Sequence, residues 1–299
     1  MTNRRLANLA GYTSILMWSF SALFISWTGD MPPFLLAALN SAIGFAFFGL
    51  KWLATPQRLQ KALRQPKQVW ALYFLAVVCY RGFYLSGLKL APIVEANLLN
   101  YLWPLLIIVL SALMDKKKIP PAIYAGAASC FAGVVCIGLS NKGGQGLSFE
   151  NGHIFAAVAA CLWALYSVLT RRFPGALSDL IGVMHLVAVA VFSLLHILFE
   201  DPVSLKAVSL AGWAGTVGLS LAVSLGYSFW DRAMTHGDRE HVATAAYFTP
   251  LLSIVWLILF AHAPMTGFIW LAALLILGGS LLSRFSTRDK KLQRVADGD

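Results

Sequence analysis

The chain has 299 residues, of which 59% are hydrophobic and only 12% are charged. Soluble domains average roughly 25% charged residues. This composition, with a mean hydropathy of +0.71, excludes a single water-facing domain and indicates several membrane helices. The four cysteines lie inside apolar runs, without a CxxC motif or a His/Cys cluster. They are therefore expected to be small core residues, and neither a metal nor another cofactor is expected.

Ten apolar stretches reach the roughly 20 residues that a membrane-spanning helix needs. They cover residues 6–27, 33–53, 69–89, 93–114, 120–140, 151–171, 178–199, 210–231, 241–261 and 266–285. The first follows a basic start, as in a signal peptide, but it is long enough to span the membrane, and no small-x-small cleavage site follows it. We expect an uncleaved first helix. Residues 54–68 carry leucines among basic residues and are expected to lie along the inner membrane surface.

The distribution of Lys and Arg predicts the orientation of these spans. If the N-terminus faces the cytoplasm, the inner segments hold 19 of the 23 basic residues and the outer segments hold 3, with Arg81 left inside the membrane. Both termini are then cytoplasmic, and residues 289–299 form a cytoplasmic tail. The net charge of +10 thus reflects topology and contact with anionic lipid, so no nucleic-acid partner is expected.

The chain also repeats itself at an offset of 146 residues. The segment YLWPLLIIV at 101–109 returns as YFTPLLSIV at 247–255, with six of nine positions identical. Each half, 1–145 and 146–288, holds five spans, and an odd number inverts the second half in the membrane. We therefore predict an all-α polytopic membrane protein with ten transmembrane helices in two inverted five-helix repeats. Transporters that alternate access to one central site use this architecture.

The third, fourth and ninth spans carry aromatic and polar residues that are unusual inside a membrane. Tyr73, Tyr80 and Tyr84 share one face of the third span, which fits either a cavity wall or an interfacial aromatic belt. Proline frees a backbone carbonyl in each of the other two spans, which indicates a hinge or a packing kink. The candidates on these two spans are Asn97, Asn100, Tyr101, Trp103 and Pro104, and then Tyr247 and Pro250.

Two tryptophans near the middle of their helices occupy matching places in the two halves. Trp18 in the first span aligns with Trp163 in the sixth within one residue of the repeat offset, and Tyr166 lies beside Trp163. In the eighth span, Tyr227 shares a stripe with Ser220 and Ser224. The aromatic residues are candidates for a cavity wall, whereas small polar residues also serve to pack helices.

Charged and titratable residues inside the spans give further candidates. Arg81 lies near the centre of the third span, where a charge needs a partner or water. A substrate carboxylate, Glu95 or a structural carbonyl pair would each serve. His185 and His196 share a face of the seventh span and are candidates for proton coupling, although core histidines often bond carbonyls instead. No Asp/Glu pair near the middle of a span indicates a sodium or proton path.

Other polar and small residues are expected to be structural. Asp231, Asp238, Glu240 and His241 have the pattern of a solvated inner loop. In the fifth span, Ala125, Ser129 and Gly133 form a stripe of small residues at four-residue spacing. Such stripes let helices approach closely, and the expected partner is the tenth span with its Gly278–Gly279 pair.

These features together resemble the EamA-type drug/metabolite transporter superfamily over residues 6–285. The resemblance rests on ten spans in inverted halves, the Trp in the first span of each half and Tyr-x-x-Pro-Leu in spans four and nine. Within the superfamily, the set Tyr80, Tyr84, Tyr101, Trp103 and Trp163 is similar to the YddG family of aromatic amino acid exporters of bacterial inner membranes.

The resemblance implies a central cavity lined by helices one, three, four, six, eight and nine, with helices five and ten at the periphery. It also implies export of Phe, Tyr, Trp and related compounds by alternating access, with substrate rings stacked on cavity aromatics. Other amino acids and cationic drugs are the alternative substrates. Beyond a small-molecule substrate and membrane lipids, no obligate protein partner is expected. The chain carries no HExxH motif, and its last span has no mid-helix lysine for a retinal Schiff base, so an enzyme or a retinal receptor is not expected.

Overall fold

The protein is described by a computed structural model that covers residues 3–91, 93–116, 119–142, 150–173, 179–261, 267–268, 270–279 and 281–282. The predicted tail at 289–299, the predicted boundary between the halves and the side chain of Glu95 lie outside this description. Within the described ranges the chain is helical and contains no strand.

The helices follow the predicted spans in chain order. They are α1 (Asn3–Ser19), α2 (Ser21–Trp27), α3 (Pro33–Ala54), α4 (Pro56–Leu63), α5 (Lys67–Phe74), α6 (Tyr80–Leu90), α7 (Ile93–Asn100), α8 (Trp103–Asp115), α9 (Pro121–Lys142), α10 (Asn151–Leu169), α11 (Asp179–Phe199), α12 (Leu210–His236), α13 (Arg239–Ala245), α14 (Phe248–Ala261) and α15 (Trp270–Gly279). A π-helical turn, Leu75–Cys79, joins α5 to α6. The short helix α4 lies in the segment that was predicted to follow the membrane surface.

Seven helical segments in the described ranges are long and apolar enough to cross a membrane. They are Asn3–Trp27, Pro33–Ala54, Lys67–Leu90, Asn151–Arg172, Asp179–Phe199, Leu210–His236 and Arg239–Phe260. Three shorter apolar helices, Trp103–Asp115, Pro121–Cys136 and Trp270–Gly279, occupy the remaining predicted spans. Large apolar side chains such as Leu50, Leu53 and Ile197 are exposed on the outer faces, as a lipid-facing surface requires. The predicted all-helical, multi-pass class is confirmed.

The two prolines of the repeat each follow a break in their helix. Residues 101–102 separate α7 from α8, and residues 246–247 separate α13 from α14. Because proline has no N–H, Pro104 cannot bond the carbonyl of Asn100, and Pro250 cannot bond that of Ala246. The Ala246 carbonyl instead accepts the Thr249 N–H at 2.9 Å in a tighter turn. Both copies of the repeated motif therefore produce the same interruption.

The most extensive helix pairs each join a helix before residue 145 to one after it. The three most extensive pairs are α3 with α11, α1 with α12 and α6 with α10. Helices α9 and α15 also pack together, since Ser129 Oγ donates to the Leu275 carbonyl at 3.0 Å and Ile276 fills the space beside Gly133. This contact confirms the predicted packing of the small-residue stripe. The two halves of the sequence thus share one core.

Candidate functional site

Seven aromatic rings meet at the centre of the bundle, around Trp163 of α10. Trp163 contacts six other rings at centroid distances of 4.9–6.4 Å. These six are Trp18, Tyr80, Trp103, Tyr166, Tyr227 and Trp230, and they come from α1, α6, α8, α10 and α12. We call the seven residues the Trp163 cluster. The structure therefore brings together six residues that the sequence singled out separately.

Trp230 is the member of the cluster that was missed in the sequence. Its ring lies 5.2 Å from Trp103 and 5.4 Å from Trp18, and its indole Nε1–H donates to Ser167 Oγ at 2.9 Å. The repeat offset pairs Trp230 with Tyr84, which was already a site candidate, so the duplication carried a usable signal.

The position of Trp18 depends on a glycine of the neighbouring helix α12. A Cβ at Gly226 would fall on the Trp18 indole, and the Gly226 carbonyl accepts a hydrogen bond from Ser14 Oγ at 2.9 Å. The absence of a side chain lets α1 approach α12 closely. Gly226 therefore sets how deeply Trp18 enters the Trp163 cluster.

A set of half-buried tyrosines leads to the Trp163 cluster. Tyr80 and Tyr84 lie in parallel planes with centroids 6.0 Å apart, and Tyr101 is close enough to both to interact electrostatically. The Tyr84 hydroxyl donates to Asn97 Oδ1 at 2.8 Å, and Asn100 Nδ2 donates to the Tyr80 hydroxyl at 3.4 Å. These three tyrosines keep accessible surface although they pack among other helices, and Tyr80 contacts Trp163 directly.

Arg81 lies on the same helix as Tyr80 but faces α3 and α11. Its guanidinium donates to Ser41 Oγ at 3.0 Å and to Asn40 Oδ1 at 3.3 Å, and it lies 5.4 Å from the centre of the Phe192 ring. Among the described residues, these contacts of the guanidinium are all with uncharged side chains. Asn40, which was missed in the sequence, is buried and its Nδ2 lacks a hydrogen-bond acceptor within the described part of the chain.

Ion pairs cluster at one end of the bundle, which we call the arginine-rich end. Arg4 pairs with Asp238 at 2.5 Å and Arg58 pairs with Asp179 at 2.9 Å. Asp115 accepts from Arg239 at 2.6 Å and lies 3.5 Å from Arg171. Each pair joins a residue before position 145 to one after it, so the pairs hold the two halves together at this end.

The prediction that Asp231 belongs to a solvated loop is wrong. Helix α12 continues to His236, five residues beyond the predicted end of the eighth span, and Asp231 is only 6% exposed. Its carboxylate accepts hydrogen bonds from the Tyr73 hydroxyl at 2.7 Å and from the Tyr166 hydroxyl at 3.1 Å. Buried carboxylates need such donors, and they explain how a charged residue fits inside the helix. Tyr73 is therefore fully buried beneath the Trp163 cluster.

The two histidines lie in separate networks of α11. His185 is fully buried, with Nε2 3.1 Å from Ser224 Oγ and its ring beside Phe48. His196 lies near the opposite end of the helix, where Nδ1 is 3.0 Å from Glu200. That carboxylate also accepts two backbone N–H groups at the start of α3. Proton coupling through these histidines stays a prediction.

Tyr247 lies apart from the Trp163 cluster. It is fully buried beside Leu105 of α8 and Cys130 of α9. Its partner in the repeat, Tyr101, is half-buried beside Tyr80 instead. Equivalent positions of the two copies therefore have different surroundings.

Comparisons with known proteins agree with this architecture. The EamA-like transporter family matches the chain twice, over residues 5–139 and 150–285. The aromatic amino acid exporter YddG of Ancylobacter novellus is 37% identical over 292 residues, which are 96% of this chain and 99% of that protein. The exporter of the same name from Escherichia coli is 26% identical over 65% of this chain and 68% of its own length. A solved crystal structure superposes with a TM-score of 0.87 at 37% identity, covering 96% of this chain and 99% of the solved one. The chain thus belongs to the EamA-like transporter family, and the resemblance that its sequence indicated is confirmed.

Proposed function

We propose that this protein exports aromatic amino acids and related small hydrophobic metabolites by alternating access around a central site. The proposal rests on the Trp163 cluster, in which aromatic rings from both halves of the protein meet. Half-buried tyrosines lie beside this cluster. The relative that shares 37% identity over nearly the whole chain is named an aromatic amino acid exporter. A transporter for aromatic amino acids needs aromatic side chains that contact the ring of the substrate.

Aromatic recognition at this site follows from the arrangement of the rings. Offset or edge-to-face pairs with centroids about 4.5–7 Å apart contribute about 0.5–1.5 kcal/mol each beyond the burial of apolar area. Tyr80, Tyr84 and Tyr101 keep accessible surface, and Tyr80 contacts Trp163, which contacts Trp18. A Phe, Tyr or Trp side chain that binds among these rings exchanges water for several such ring contacts. An alanine side chain makes none of them, so the site favours aromatic cargo.

Arg81 is the proposed partner of the substrate carboxylate. Its guanidinium has neutral protein partners, and a carboxylate supplies the charge that a buried arginine lacks. The Arg81 guanidinium interacts electrostatically with Tyr227 and Tyr80, so a ring bound near these tyrosines brings an α-carboxylate within its reach. Asn97 accepts a hydrogen bond from the Tyr84 hydroxyl, and Asn100 donates one to the Tyr80 hydroxyl. These bonds fix the orientations of the two rings.

The proposed architecture is ten transmembrane helices in two inverted repeats, 1–145 and 146–288, with residues 289–299 as a tail. The matching breaks before Pro104 and Pro250, and the two separate matches to the family, support a duplicated chain. The prolines are the proposed hinges of the movement. The proposed location is the bacterial inner membrane, with both termini and the arginine-rich end in the cytoplasm, as the distribution of Lys and Arg favours.

In this orientation we infer an outward-facing state as part of the proposal. The ion pairs and the Tyr73–Asp231 hydrogen bond close the cytoplasmic side, whereas the tyrosines above the Trp163 cluster keep accessible surface. Release of cargo to the outside precedes the opening of the arginine-rich end in this scheme.

Exchange in proteoliposomes tests the proposal. Vesicles that hold unlabelled Phe are diluted into radiolabelled Phe, Tyr, Trp or Ala, and we expect Ala to exchange at least tenfold more slowly than the aromatic substrates. Equal rates for Phe and Ala contradict aromatic selectivity, and an absence of Phe exchange contradicts the function itself.

A second arm tests Arg81 with a matched control. Arg81→Met is expected to lower Phe exchange at least tenfold, whereas Arg64→Met, at an exposed arginine, is expected to leave it unchanged. Phenethylamine, which has the ring of Phe but no carboxylate, serves as a second substrate whose exchange Arg81→Met is expected to spare. Normal Phe exchange by a folded Arg81→Met protein rejects the carboxylate role.

A further inference from the structure

Asp231 is a buried acid that the proposed substrate site does not use. Its carboxylate lies on α12 between the Tyr73 hydroxyl of α5 and the Tyr166 hydroxyl of α10. Within the described ranges, no Lys, Arg or His forms an ion pair with it. The negative charge therefore depends on two neutral hydroxyl donors, which leaves the group sensitive to protonation.

One of the two hydrogen bonds of Asp231 also joins the halves of the protein. Tyr73 belongs to the first half, whereas Tyr166 and Asp231 belong to the second. A hydrogen bond to an ionised carboxylate is roughly twice as strong as one between neutral groups. Protonation of Asp231 therefore weakens a contact that holds α5 against α12.

This contact is connected directly to the aromatic site. Trp230, the preceding residue on α12, belongs to the Trp163 cluster, and the Tyr166 ring lies 5.3 Å from that of Trp163. A separation of α5 from α12 therefore moves the floor of the proposed substrate site. The acid lies between that floor and the arginine-rich end.

We propose that Asp231 is a proton-binding site that couples opening of the cytoplasmic side to inward movement of protons. The ionised carboxylate holds Tyr73 and keeps this side closed. A proton taken up in the outward-facing state weakens the contact, and the proton leaves to the cytoplasm once that side is open and Asp231 is hydrated. Cargo then binds, and closure restores the hydrogen bond. One proton moves inward for each substrate molecule that moves outward, and no covalent bond other than O–H forms or breaks.

The other charged groups around Asp231 are paired with one another. Asp179, which lies on the Tyr73 side, is bound by Arg58. Arg239 donates to the Val168 carbonyl on the helix of Tyr166, and its second partner is Asp115. The Tyr227 hydroxyl, near Tyr166, is directed to the Ala76 carbonyl. Among the described residues these contacts leave Asp231 as the acid held by hydroxyl groups alone.

The test uses a pH gradient and rests on the proposed transport of Phe, which Phe/Phe exchange reports separately. Proteoliposomes with an acidic lumen are clamped at zero membrane potential with valinomycin and equal potassium, and then given external Phe. Proton flow out of the vesicle drives Phe in, whichever way the protein is inserted. One proton per Phe predicts an accumulation ratio that rises about tenfold for each pH unit of the gradient. A wild-type protein that exchanges Phe but does not accumulate it overturns the proton site and leaves the proposed function intact.

Variants then assign the effect to Asp231. Asp231→Asn is expected to keep Phe/Phe exchange, which needs no net proton movement, and to reduce the accumulation ratio to about one. Tyr73→Phe keeps the acid but removes the contact through which protonation acts, so it is also expected to lower the ratio. Asp30→Asn, at an exposed position, is expected to retain the tenfold ratio. Accumulation by Asp231→Asn equal to that of the wild type overturns the proposal. If Asp231→Asn does not fold, Asp231→Glu is compared instead, and an unchanged pH profile of its exchange overturns the proposal.

Discussion

Replacement of Asp115 by Asn separates a buried arginine from its counter-charge. The Arg239 side chain is 2% exposed and donates to Asp115 at 2.6 Å, whereas its other bond, to the Val168 carbonyl, measures 3.3 Å. After the substitution Arg239 keeps this weaker bond and loses the negative charge. The form in which the arginine-rich end is open and Arg239 is hydrated becomes comparatively more favourable.

The size of the effect follows from the exposure of the two partners. Removal of one partner from a fully buried ion pair costs about 3–5 kcal/mol. The Asp115 side chain is 25% exposed, so solvent already screens part of the interaction, and we take about 2–3 kcal/mol. This energy shifts the equilibrium between the closed and open forms roughly 30- to 150-fold.

Labelling of a single cysteine measures this shift. Val168→Cys, at a buried position beside the Arg239 contact, is introduced after the four native cysteines are replaced. In inside-out vesicles its reaction with a membrane-impermeant maleimide is expected to be roughly 30-fold faster when Asp115→Asn is added. Combining Asp115→Asn with Arg239→Met removes the orphaned charge, so thermal stability is expected to recover and labelling to slow towards the parent rate. Labelling of the Asp115→Asn protein within twofold of the parent protein, with an unchanged melting midpoint, would refute the assigned role of the pair.

Three further substitutions test the site and its supports. Trp163→Ala removes the ring at the centre of the cluster, so we expect Phe exchange to fall more than tenfold and unfolding to become easier by about 3 kcal/mol, seen as a lower melting midpoint. Gly226→Ala is expected to displace Trp18 and lower Phe exchange at least tenfold, whereas Gly49→Ala, with open space around its added Cβ, is expected to change nothing. Glu200→Gln weakens the cap on the start of α3 and is expected to cost about 2 kcal/mol of stability without changing exchange per folded molecule, and a slower exchange rate would contradict this purely structural role.

The sequence predicted the parts of the fold that depend on local chemistry. The apolar stretches predicted the helical segments, because backbone N–H and C=O groups inside lipid must be hydrogen-bonded within the protein, and a helix satisfies them all. Pro104 and Pro250 predicted interruptions because a missing N–H acts on its own helix wherever the helix lies. Trp18 and Trp163 were found from their central position in matching spans, and the structure places their rings 5.6 Å apart.

The missed features depend on contacts between helices. Hydropathy ended the eighth span at Asp231 because an acid is unfavourable in lipid, and only the hydroxyls of Tyr73 and Tyr166 make its burial acceptable. Asn40 was missed for the same reason, since its partner Arg81 lies on another helix. Repeat symmetry suggested equal roles for Tyr101 and Tyr247, but it carries no information about which neighbours have diverged.

The arginine-rich end makes the two ends of the duplicated protein unequal. At the repeat offset, Arg239 corresponds to Ile93 and Asp115 to Ala261, so the opposite end cannot form the matching ion pair. In the proposed orientation, the idle transporter therefore rests with its site turned away from the cytoplasmic pool of cargo. Insertion into the membrane favours arginine on the cytoplasmic side of any helix. At the opposite end Glu200 pairs with Lys89 and caps the start of α3, so both ends join the halves, but the arginine pairs lie at one end. A preferred resting direction can therefore arise from where arginine is placed, before any selection acts on transport itself.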